Sequence, residues 1–415
     1  MIKSIQFTSF NGSLNIPPSK SEAQRALLCA ALADGESTIQ NVGISDDVKA
    51  MLENIRRLGV KCEVSENEIN LSGNAIFRDG LELNSGESGL GFRLLSGICA
   101  VKAGRQTITG EGSLLYRQQH FYEKNLNQYG AQVVSNNGFL PLTFQCQLTS
   151  NEMHVDGSES SQYISGLLMG LPLLEQNTKL IVENSTSRPY IEMTLDTLKQ
   201  FGVVISHDNF EEYSIQGNQK YTGCNYNVES DWSSASCWLV VAALGNDIEI
   251  KGLSLESKQA DVKLLNALKA ANCEVSSSEN KIVVDGTKRH GFEFDATHCP
   301  DLFPALVALA AFCKGKSIIQ GVSRLVNKES DRGAVLQKEF AKIGIKIDFN
   351  EDQMTIHGGT ILYSAEVDSN HDHRIAMCLA IVGTKINGGL TIRNAEAVSK
   401  SYPEFWEHFD QLSVS

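Results

Sequence analysis

The sequence predicts an α/β protein with two domains, each built from three copies of one repeated unit. A chain of 415 residues is longer than one hydrophobic core usually covers, so two domains of about 200 residues each are expected. Apolar residues make up 42% of the chain and charged residues 20%, which is typical of a folded globular protein. Six segments follow one common pattern, and the sixth of them is incomplete.

The repeat begins with a polar cluster, continues as a helix of small and apolar residues, and ends in a short strand rich in Ile, Thr and Val. Its copies start about every 70 residues, a longer period than in common solenoids but a regular one. In the first five copies an amphipathic helix and two strands follow, so the unit is β-α-β-α-β-β when the preceding strand is included. The polar clusters begin at Ser21, Glu87, Ser160, Trp232, Pro300 and His371.

The amphipathic helix is clearest at residues 48–58. There Met51, Leu52 and Ile55 form one apolar stripe, and Gly59 ends the helix before a hairpin at residues 60–71. The same pattern predicts equivalent helices at residues 191–201, 262–271 and 334–343.

The sixth copy ends after a predicted helix at residues 404–412, without room for its closing strands. Residues 2–7 and 13–16 are predicted to be two strands about a Phe10-Asn11-Gly12 turn. We therefore expect the N-terminus to join the C-terminal half and the chain to cross between two hinged lobes twice. The expected domains are residues 1–14 plus 228–415, and residues 15–227.

Composition excludes several classes of protein. The net charge of -13 argues against a nucleic-acid partner, because no broad basic face is available. No signal peptide is expected, and the longest apolar stretch, residues 302–313, is shorter than the ~20 residues of a membrane helix. The ten cysteines form no C-x-x-C pair, and no nucleotide-binding glycine motif is present. A cytoplasmic enzyme with buried free thiols is expected.

Polar and basic residues recur where the first helix of a repeat begins. One such start indicates only helix capping, but repeated starts in symmetric units are expected to face a common cleft. Helix N-termini carry a partial positive charge and free N–H groups, which suit phosphate and carboxylate ligands. Basic side chains near these starts are either solvated surface charges or anion clamps: Lys20, Arg25, Arg93, Arg117, Arg188, Arg332, Arg374 and Lys400.

Three titratable residues are candidates for acid–base chemistry, namely Asp301, Glu329 and His373. Residue patterns alone leave other interpretations open. Asp301 can be a helix N-cap, and Glu329 can be a salt-bridge partner of Arg332.

An ordered series of motifs spans nearly the whole chain and resembles the 5-enolpyruvylshikimate-3-phosphate synthases, a branch of the enolpyruvyl transferase family. Single motifs are weak, but the series is specific. It comprises Pro18-Ser19-Lys20-Ser21, Ser45-Asp46-Asp47-Val48, Ser160-Ser161-Gln162-Tyr163, Arg188-Pro189-Tyr190-Ile191, Asp231-Trp232-Ser233-Ser234, Lys328-Glu329-Ser330-Asp331-Arg332, Asp372-His373-Arg374 and Val398-Ser399-Lys400.

The resemblance implies an inside-out α/β barrel in each of two lobes and transfer of the enolpyruvyl group of phosphoenolpyruvate to the 5-hydroxyl of shikimate 3-phosphate. The implied catalytic residues are Asp301, Glu329 and Lys20. The implied phosphoenolpyruvate site comprises Lys20, Gly89, Arg117, Gln162, Arg332, Arg374 and Lys400. The implied shikimate 3-phosphate site comprises Ser21, Arg25, Ser160, Ser161, Gln162, Ser187, Tyr190, Asp301 and Lys328.

Within this resemblance Asp301 is implied to accept the proton of the attacking hydroxyl and Glu329 to protonate the phosphoenolpyruvate methylene. No metal and no other cofactor is implied, and a cytoplasmic monomer acting in aromatic amino acid biosynthesis is expected. Two other functions remain open. One is enolpyruvyl transfer to UDP-N-acetylglucosamine, against which the absence of a cysteine in residues 109–119 counts; the other is non-catalytic binding of a phosphorylated ligand.

Overall fold

The chain folds into two compact domains in the computed structural model, which describes residues 1–145, 147–278 and 281–414. The discontinuous domain comprises Met1–Pro17 and Ser230–Ser415, and the continuous domain comprises Pro18–Glu229. The boundaries expected from the sequence, after residues 14 and 227, lie close to these divisions.

Strands and helices alternate along both domains and are numbered in chain order. The strands are β1 (Ile2–Ile5), β2 (Ser9–Asn15), β3 (Glu36–Gln40), β4 (Lys61–Val64), β5 (Glu68–Ser72), β6 (Leu81–Asn84), β7 (Gln106–Thr109), β8 (Gln132–Asn136), β9 (Phe139–Gln145), β10 (Glu152–Asp156), β11 (Thr178–Glu183), β12 (Ile205–Asp208), β13 (Glu212–Ile215), β14 (Asn225–Asn227), β15 (Asp247–Lys251), β16 (Glu274–Ser278), β17 (Lys281–Asp285), β18 (Glu293–Asp295), β19 (Gly315–Gln320), β20 (Lys346–Asn350), β21 (Gln353–Gly358), β22 (Ala365–Asp368), β23 (Leu390–Arg393) and β24 (Ser413–Val414). The helices are α1 (Lys20–Leu32), α2 (Asp46–Arg57), α3 (Gly89–Cys99), α4 (His120–Leu126), α5 (Ser161–Gly170), α6 (Arg188–Gln200), α7 (Trp232–Ala243), α8 (Leu264–Ala270), α9 (Phe303–Ala311), α10 (Arg332–Lys342), α11 (His373–Gly383) and α12 (Phe405–Leu412).

In most of the described sheets a parallel pair of strands continues into an antiparallel hairpin, whereas in β1-β23-β22 the parallel pair β22-β23 is joined by the single antiparallel strand β1. In the continuous domain the strand orders are β14-β3-β5-β4, β6-β7-β9-β8 and β10-β11-β13-β12. In the discontinuous domain they are β16-β17-β15-β2-β24, β18-β19-β21-β20 and β1-β23-β22. This recurrence is the structural form of the repeat, and the predicted α/β class is confirmed.

Three strands complete repeats that are distant in the chain. Strand β14 pairs in parallel with β3, β2 pairs in parallel with β15, and β1 pairs antiparallel with β23. The predicted Phe10-Asn11-Gly12 turn is wrong, because these residues lie inside β2, where Asn11 is opposite Asp247. The sixth copy also does not end at its helix, since β24 follows α12 and pairs with Ser9 and Phe10.

The first helix of each repeat forms the core of its domain. Every residue of α3, α7 and α11 is buried, and small residues such as the alanines of α1 and α9 allow these helices to pack closely. Several of them begin at a side chain that accepts a hydrogen bond from a backbone N–H in the first turn. These N-caps are Ser19, Ser88, Ser160, Asp231 and Asp372.

Helices α3 and α5 are in backbone contact. A β-carbon on Gly97 would lie 2.0 Å from the carbonyl carbon of Gly166. The space at Gly97 is therefore too small for any side chain. This close crossing holds Arg93 of α3 and Gln162 of α5 within hydrogen-bonding distance of each other, at 2.6 Å.

The remaining sequence-based expectations concern thiols and membrane segments. The described cysteines are free, and most are buried, while Cys146 lies outside the described residues. Within the described ranges, no helix has both the length and the apolar character that are needed to cross a bilayer.

Candidate active site

In the continuous domain the start of α1 places Lys20 against an acidic partner. Its Nζ lies 2.8 Å from Oδ2 of Asp47, and the two side chains are only 11% and 9% exposed. Asp47 lies in the first turn of α2, which Ser45 caps. The ion pair holds the Lys20 side chain in place, because either charge buried alone would be costly.

Arg25, one turn further along α1, is almost fully buried. Its Nε donates to Thr194 Oγ1 at 2.8 Å, its Nη1 to the carbonyl of Ser21 at 2.7 Å, and its Nη2 to the carbonyl of Tyr190 at 3.3 Å. Burial lowers the pKa of Arg25 to about 10, so the guanidinium is still charged at neutral pH. The starts of α1 and α6 therefore meet at one buried cation, together with Ser21 and Tyr190. Ser187, also buried, is the residue before α6 and adopts a left-handed backbone conformation, with a φ of 50°.

A second cationic region of the continuous domain lies at the starts of α3 and α5. A β-carbon built on Gly89 would lie 2.9 Å from Nη1 of Arg117 and 3.3 Å from Nη1 of Arg93. Both guanidiniums are buried, and Arg93 also lies 4.7 Å from the ring centroid of Tyr163. Burial opposes the charge of Arg93, but interactions with Tyr163 and Glu159 outweigh it and raise its pKa.

The start of α5 adds uncharged hydrogen-bonding groups beside these cations. Ser160 caps the helix by accepting from the backbone N–H of Gln162 at 3.3 Å, and the Gln162 side chain accepts from Arg93. Ser161, the first helical residue, is buried. Two cations, two hydroxyl groups and a helix N-terminus are suited to a phosphate or carboxylate ligand.

In the discontinuous domain Arg332 joins three carboxylates. Its Nη1 lies 2.6 Å from Asp301, its Nη2 lies 2.6 Å from Glu329, and its Nε lies 2.8 Å from Asp372. The Arg332 side chain is 1% exposed. Three surrounding carboxylates hold its guanidinium in one orientation and raise its pKa despite burial.

Asp301 is in turn contacted by three cations. Besides Arg332, Nη2 of Arg374 lies 3.3 Å away and Nζ of Lys328 lies 3.4 Å away. Burial alone would raise the pKa of Asp301, but Arg374, Lys328 and Arg332 together hold it well below its usual range. The N-cap interpretation of Asp301 is wrong, since it lies within a 3-10 turn, Pro300–Leu302, just before α9. The expected ion pair of Glu329 with Arg332 is present.

Lys400, from a 3-10 turn after β23, is held by a backbone oxygen. Its Nζ donates to the carbonyl of His371 at 2.8 Å, and the residue is 8% exposed. His371 and the preceding Asn370 both have left-handed backbone conformations, with φ values of 57° and 50°. Such strained turns persist only where the surrounding structure holds them, and they are common at functional sites.

The comparisons with known proteins identify the family to which these residue groups belong. Residues 6–409 match the family described as EPSP synthase (3-phosphoshikimate 1-carboxyvinyltransferase). The chain belongs to the EPSP synthase family. The family and the enolpyruvyl transfer predicted from the sequence are thereby confirmed.

Relatives of similar length agree with this membership. The chain is 39% identical over 411 residues to a 3-phosphoshikimate 1-carboxyvinyltransferase of Clostridium kluyveri. The aligned region covers 99% of this chain and 96% of that protein. This chain is 36% identical over 416 residues to the protein of the same name from Clostridium novyi, with 98% and 96% covered. A solved EPSP synthase of Acinetobacter baumannii has a TM-score of 0.83 at 26% identity, covering 100% of this chain and 98% of that one.

Not every sequence-based candidate lies in these groups. Arg188, named as a possible anion clamp, instead pairs with Glu211 at 2.9 Å on the neighbouring hairpin. His373 is 1% exposed, and its Nδ1 lies 3.7 Å from Asp372. It is therefore buried at the start of α11. Among the described residues, no group of His, Cys, Asp and Glu side chains has the arrangement of a metal site.

The sequence reasoning missed two carboxylates that orient site cations. Asp47 holds Lys20, and Asp372 binds Nε of Arg332 while capping α11 through the N–H of Arg374 at 2.9 Å. Both stand at helix starts, where an aspartate ordinarily signals capping alone. The only available signal was their position inside motifs that were recognised for other residues.

Proposed function

We propose that the chain carries out this family reaction on phosphoenolpyruvate and shikimate 3-phosphate. Asp301 is the base, Glu329 the acid, and Lys20 assists the proton transfers. The observation that carries the proposal is the cluster in which Arg332 contacts Asp301 and Glu329 at 2.6 Å each. An acid, a base and fixed cations in direct contact are what the addition of a hydroxyl to an enol phosphate requires.

The proposed reaction proceeds by protonation, addition and elimination. Glu329 gives a proton to the methylene carbon of phosphoenolpyruvate, which leaves positive charge on the neighbouring carbon. The 5-hydroxyl oxygen of shikimate 3-phosphate bonds to that carbon, and its proton passes to Asp301. The bond from this carbon to the phosphate oxygen then breaks, and the leaving phosphate takes up the proton held by Asp301. A methyl proton returns to Glu329, which restores the enol double bond.

The substrate anions are assigned to the buried cations and helix starts described above. Phosphoenolpyruvate is assigned to Lys20, Gly89, Arg117, Gln162, Arg332, Arg374 and Lys400. Shikimate 3-phosphate is assigned to Ser21, Arg25, Ser160, Ser161, Gln162, Ser187, Tyr190, Asp301 and Lys328. The low exposure of the arginines supports this, because a buried cation interacts more strongly with an anion than a solvated one does.

Substrate binding also changes the basicity of Asp301, because the substrates bind the cations that pair with it. In the structure the charges of Arg374, Lys328 and Arg332 outweigh burial and hold the pKa of Asp301 low, which makes it a poor proton acceptor. Phosphate and carboxylate groups that bind these cations offset their charge. Asp301 then becomes more basic only when substrate is present, so proton transfer is linked to substrate binding.

The proposal also covers the class of ligand, the cellular location and the oligomeric state. The net charge of -13 supports action on small anions through local cations and not on nucleic acid. We propose a cytoplasmic monomer, to be checked by fractionation of cells and by light scattering of the purified protein.

The function is tested by release of inorganic phosphate from the purified protein. Release is expected with phosphoenolpyruvate and shikimate 3-phosphate together, and not with either alone. Equal release with UDP-N-acetylglucosamine as the acceptor would reassign the substrate. No release with any acceptor would leave only ligand binding as the function.

The role of Glu329 is tested by Glu329→Gln. Loss of the proton donor is expected to lower turnover by about 10² to 10⁴ while calorimetry still detects substrate binding. The matched control is Glu407→Gln, which changes an exposed glutamate of α12 in the same domain and is expected to leave turnover unchanged. Loss of binding in Glu329→Gln would assign Glu329 a structural role.

A further inference from the structure

The loops that follow β6 and β7 run side by side beyond the ends of these parallel strands. The N–H of Ser85 donates to the carbonyl of Thr109 at 3.0 Å, and the N–H of Glu111 donates to the carbonyl of Gly86 at 2.7 Å. The side chain of Asn84 adds a bond to Glu111 at 2.8 Å. The start of α3 and the turn leading to Arg117 are therefore connected through backbone contacts.

Glu87 extends this connection with its side chain. Its Oε2 accepts a hydrogen bond from the backbone N–H of Ser113 at 2.8 Å. The adjacent Gly112 has a φ of +49°, and a β-carbon on it would lie 2.3 Å from the carboxyl carbon of Glu87. A side chain at this position would be strained by the positive φ and would displace the carboxylate, which rests directly on the turn Gly112–Tyr116.

The same turn also contacts the guanidinium of Arg117. Nη2 of Arg117 donates to Oγ of Ser113 at 3.0 Å, and Nη1 faces Gly89. Ser113 therefore receives Glu87 at its amide and Arg117 at its hydroxyl. A contiguous path of two hydrogen bonds connects the Glu87 carboxylate to the Arg117 guanidinium.

We propose that Glu87 is a positioning residue, which orients Arg117 for phosphoenolpyruvate through Ser113. The inference rests on the proposed assignment of Arg117 to phosphoenolpyruvate. A direct contact of Glu87 with that ligand is disfavoured, because both are anions. Its effect is geometric: small displacements of a substrate-binding cation reduce productive binding strongly.

The test compares Michaelis constants for phosphoenolpyruvate at saturating shikimate 3-phosphate. Glu87→Ala is expected to raise this constant about tenfold, as for one lost charge-assisted hydrogen bond, with little change in the constant for shikimate 3-phosphate. Glu87→Gln keeps an oxygen acceptor and is expected to restore most of the wild-type value. Ser113→Ala removes the hydroxyl that accepts from Nη2 of Arg117, so adding Glu87→Ala to it is expected to have less effect than Glu87→Ala alone.

The matched control is Glu123→Ala. Glu123 accepts from the backbone N–H of Ser135 at 2.6 Å in the same repeat, on the hairpin side of α4. Glu87→Ala and Glu123→Ala are each expected to lower the melting temperature by about 2–4 °C. Only Glu87→Ala is expected to change the Michaelis constant for phosphoenolpyruvate.

The variant Arg117→Ala tests the assignment of Arg117 to phosphoenolpyruvate separately from the role of Glu87. An unchanged phosphoenolpyruvate constant in this variant would overturn the assignment of Arg117 and the inference with it. A raised constant in Arg117→Ala together with an unchanged one in Glu87→Ala would overturn the role of Glu87 alone. Three other results would also contradict this role. They are equal increases in the Michaelis constants for both substrates in Glu87→Ala, additive effects of Glu87→Ala and Ser113→Ala, and a Michaelis constant for phosphoenolpyruvate that is the same in Glu87→Gln and Glu87→Ala.

Discussion

Glu22 is a buried carboxyl group in α1, next to Ser21 of the proposed shikimate 3-phosphate site. It is 6% exposed; the hydroxyl of Tyr226 donates to its Oε1 at 2.8 Å, and the backbone N–H of Glu229 donates to its Oε2 at 3.1 Å. Burial raises its pKa to about 7, helped by the Glu229 carboxylate and opposed by the two hydrogen bonds and by Arg25. Close to neutral pH the group therefore changes its charge within the folded protein.

This shift has a defined effect on stability. The pKa rises from an ordinary value of 4.5 to about 7, and each unit corresponds to about 1.4 kcal/mol, so about 3 kcal/mol is involved. Between these pH values the folded protein retains a proton that the unfolded chain has released. Raising the pH from 4.5 to 7 thus favours the unfolded chain, and the stability present below 4.5 is progressively lost.

Glu22→Gln removes this titration while keeping the size of the side chain. The free energy of unfolding of the wild type relative to Glu22→Gln is expected to fall by about 3 kcal/mol between pH 4 and pH 8. Urea denaturation followed by far-UV circular dichroism measures it. Fluorescence is unsuitable, because the tryptophans, Trp232, Trp238 and Trp406, all belong to the discontinuous domain whereas Glu22 belongs to the other.

Glu53→Gln is the matched control. Glu53 is a 64% exposed glutamate of α2 that pairs with Arg56. Exposed ion pairs contribute little to stability, so its replacement is expected to change the free energy of unfolding by less than about 1 kcal/mol at either pH. A difference between wild type and Glu22→Gln that does not change with pH would refute the reasoning. It would mean that the hydrogen bonds from Tyr226 and Glu229 outweigh burial and keep Glu22 ionised in the fold.

Three further outcomes are expected. Asp301→Asn should lower phosphate release by about 10² to 10⁴ through loss of the base, and wild-type turnover in this variant would exclude the role. Lys20→Met should lower the free energy of unfolding by about 3–5 kcal/mol in urea denaturation, because it leaves Asp47 buried without its cation. Adding Asp47→Asn should restore part of this loss of stability. An undiminished loss in the double variant would contradict the ion-pair argument. Gly97→Ala should destabilise by about 3 kcal/mol or more, because its β-carbon would lie 2.0 Å from the backbone of α5. The helical control Gly333→Ala, whose β-carbon would have contacts of 3.6 Å or longer, should be neutral or stabilising.

The elements that the sequence predicted well are those with strong local patterns. The apolar stripe at residues 48–58 corresponds to α2, Asp46–Arg57, and the following hairpin to β4 and β5. The Phe10-Asn11-Gly12 prediction failed because turn propensity at Gly12 is weaker than pairing along the length of β15. The pairing partner lies more than 200 residues away in the chain, so no local pattern reveals it.

The candidate site was predictable in residue type and not in connectivity. The family resemblance implied Asp301, Glu329 and Arg332, and a separate motif contained Asp372. Neither showed that Arg332 joins all three carboxylates. The motifs also did not assign Glu87 any contact.

The sequence by itself determined the repeat, the α/β class, the family and the residue types suited to bind anions, because periodicity, capping and motif order are all short-range properties. Only the tertiary structure decided which charges meet, such as Lys20 with Asp47, and which groups lose water, such as Glu22. The physical reason is that a side chain's pKa and orientation depend on the neighbours and solvent within a few ångströms, and folding brings those neighbours from distant parts of the chain.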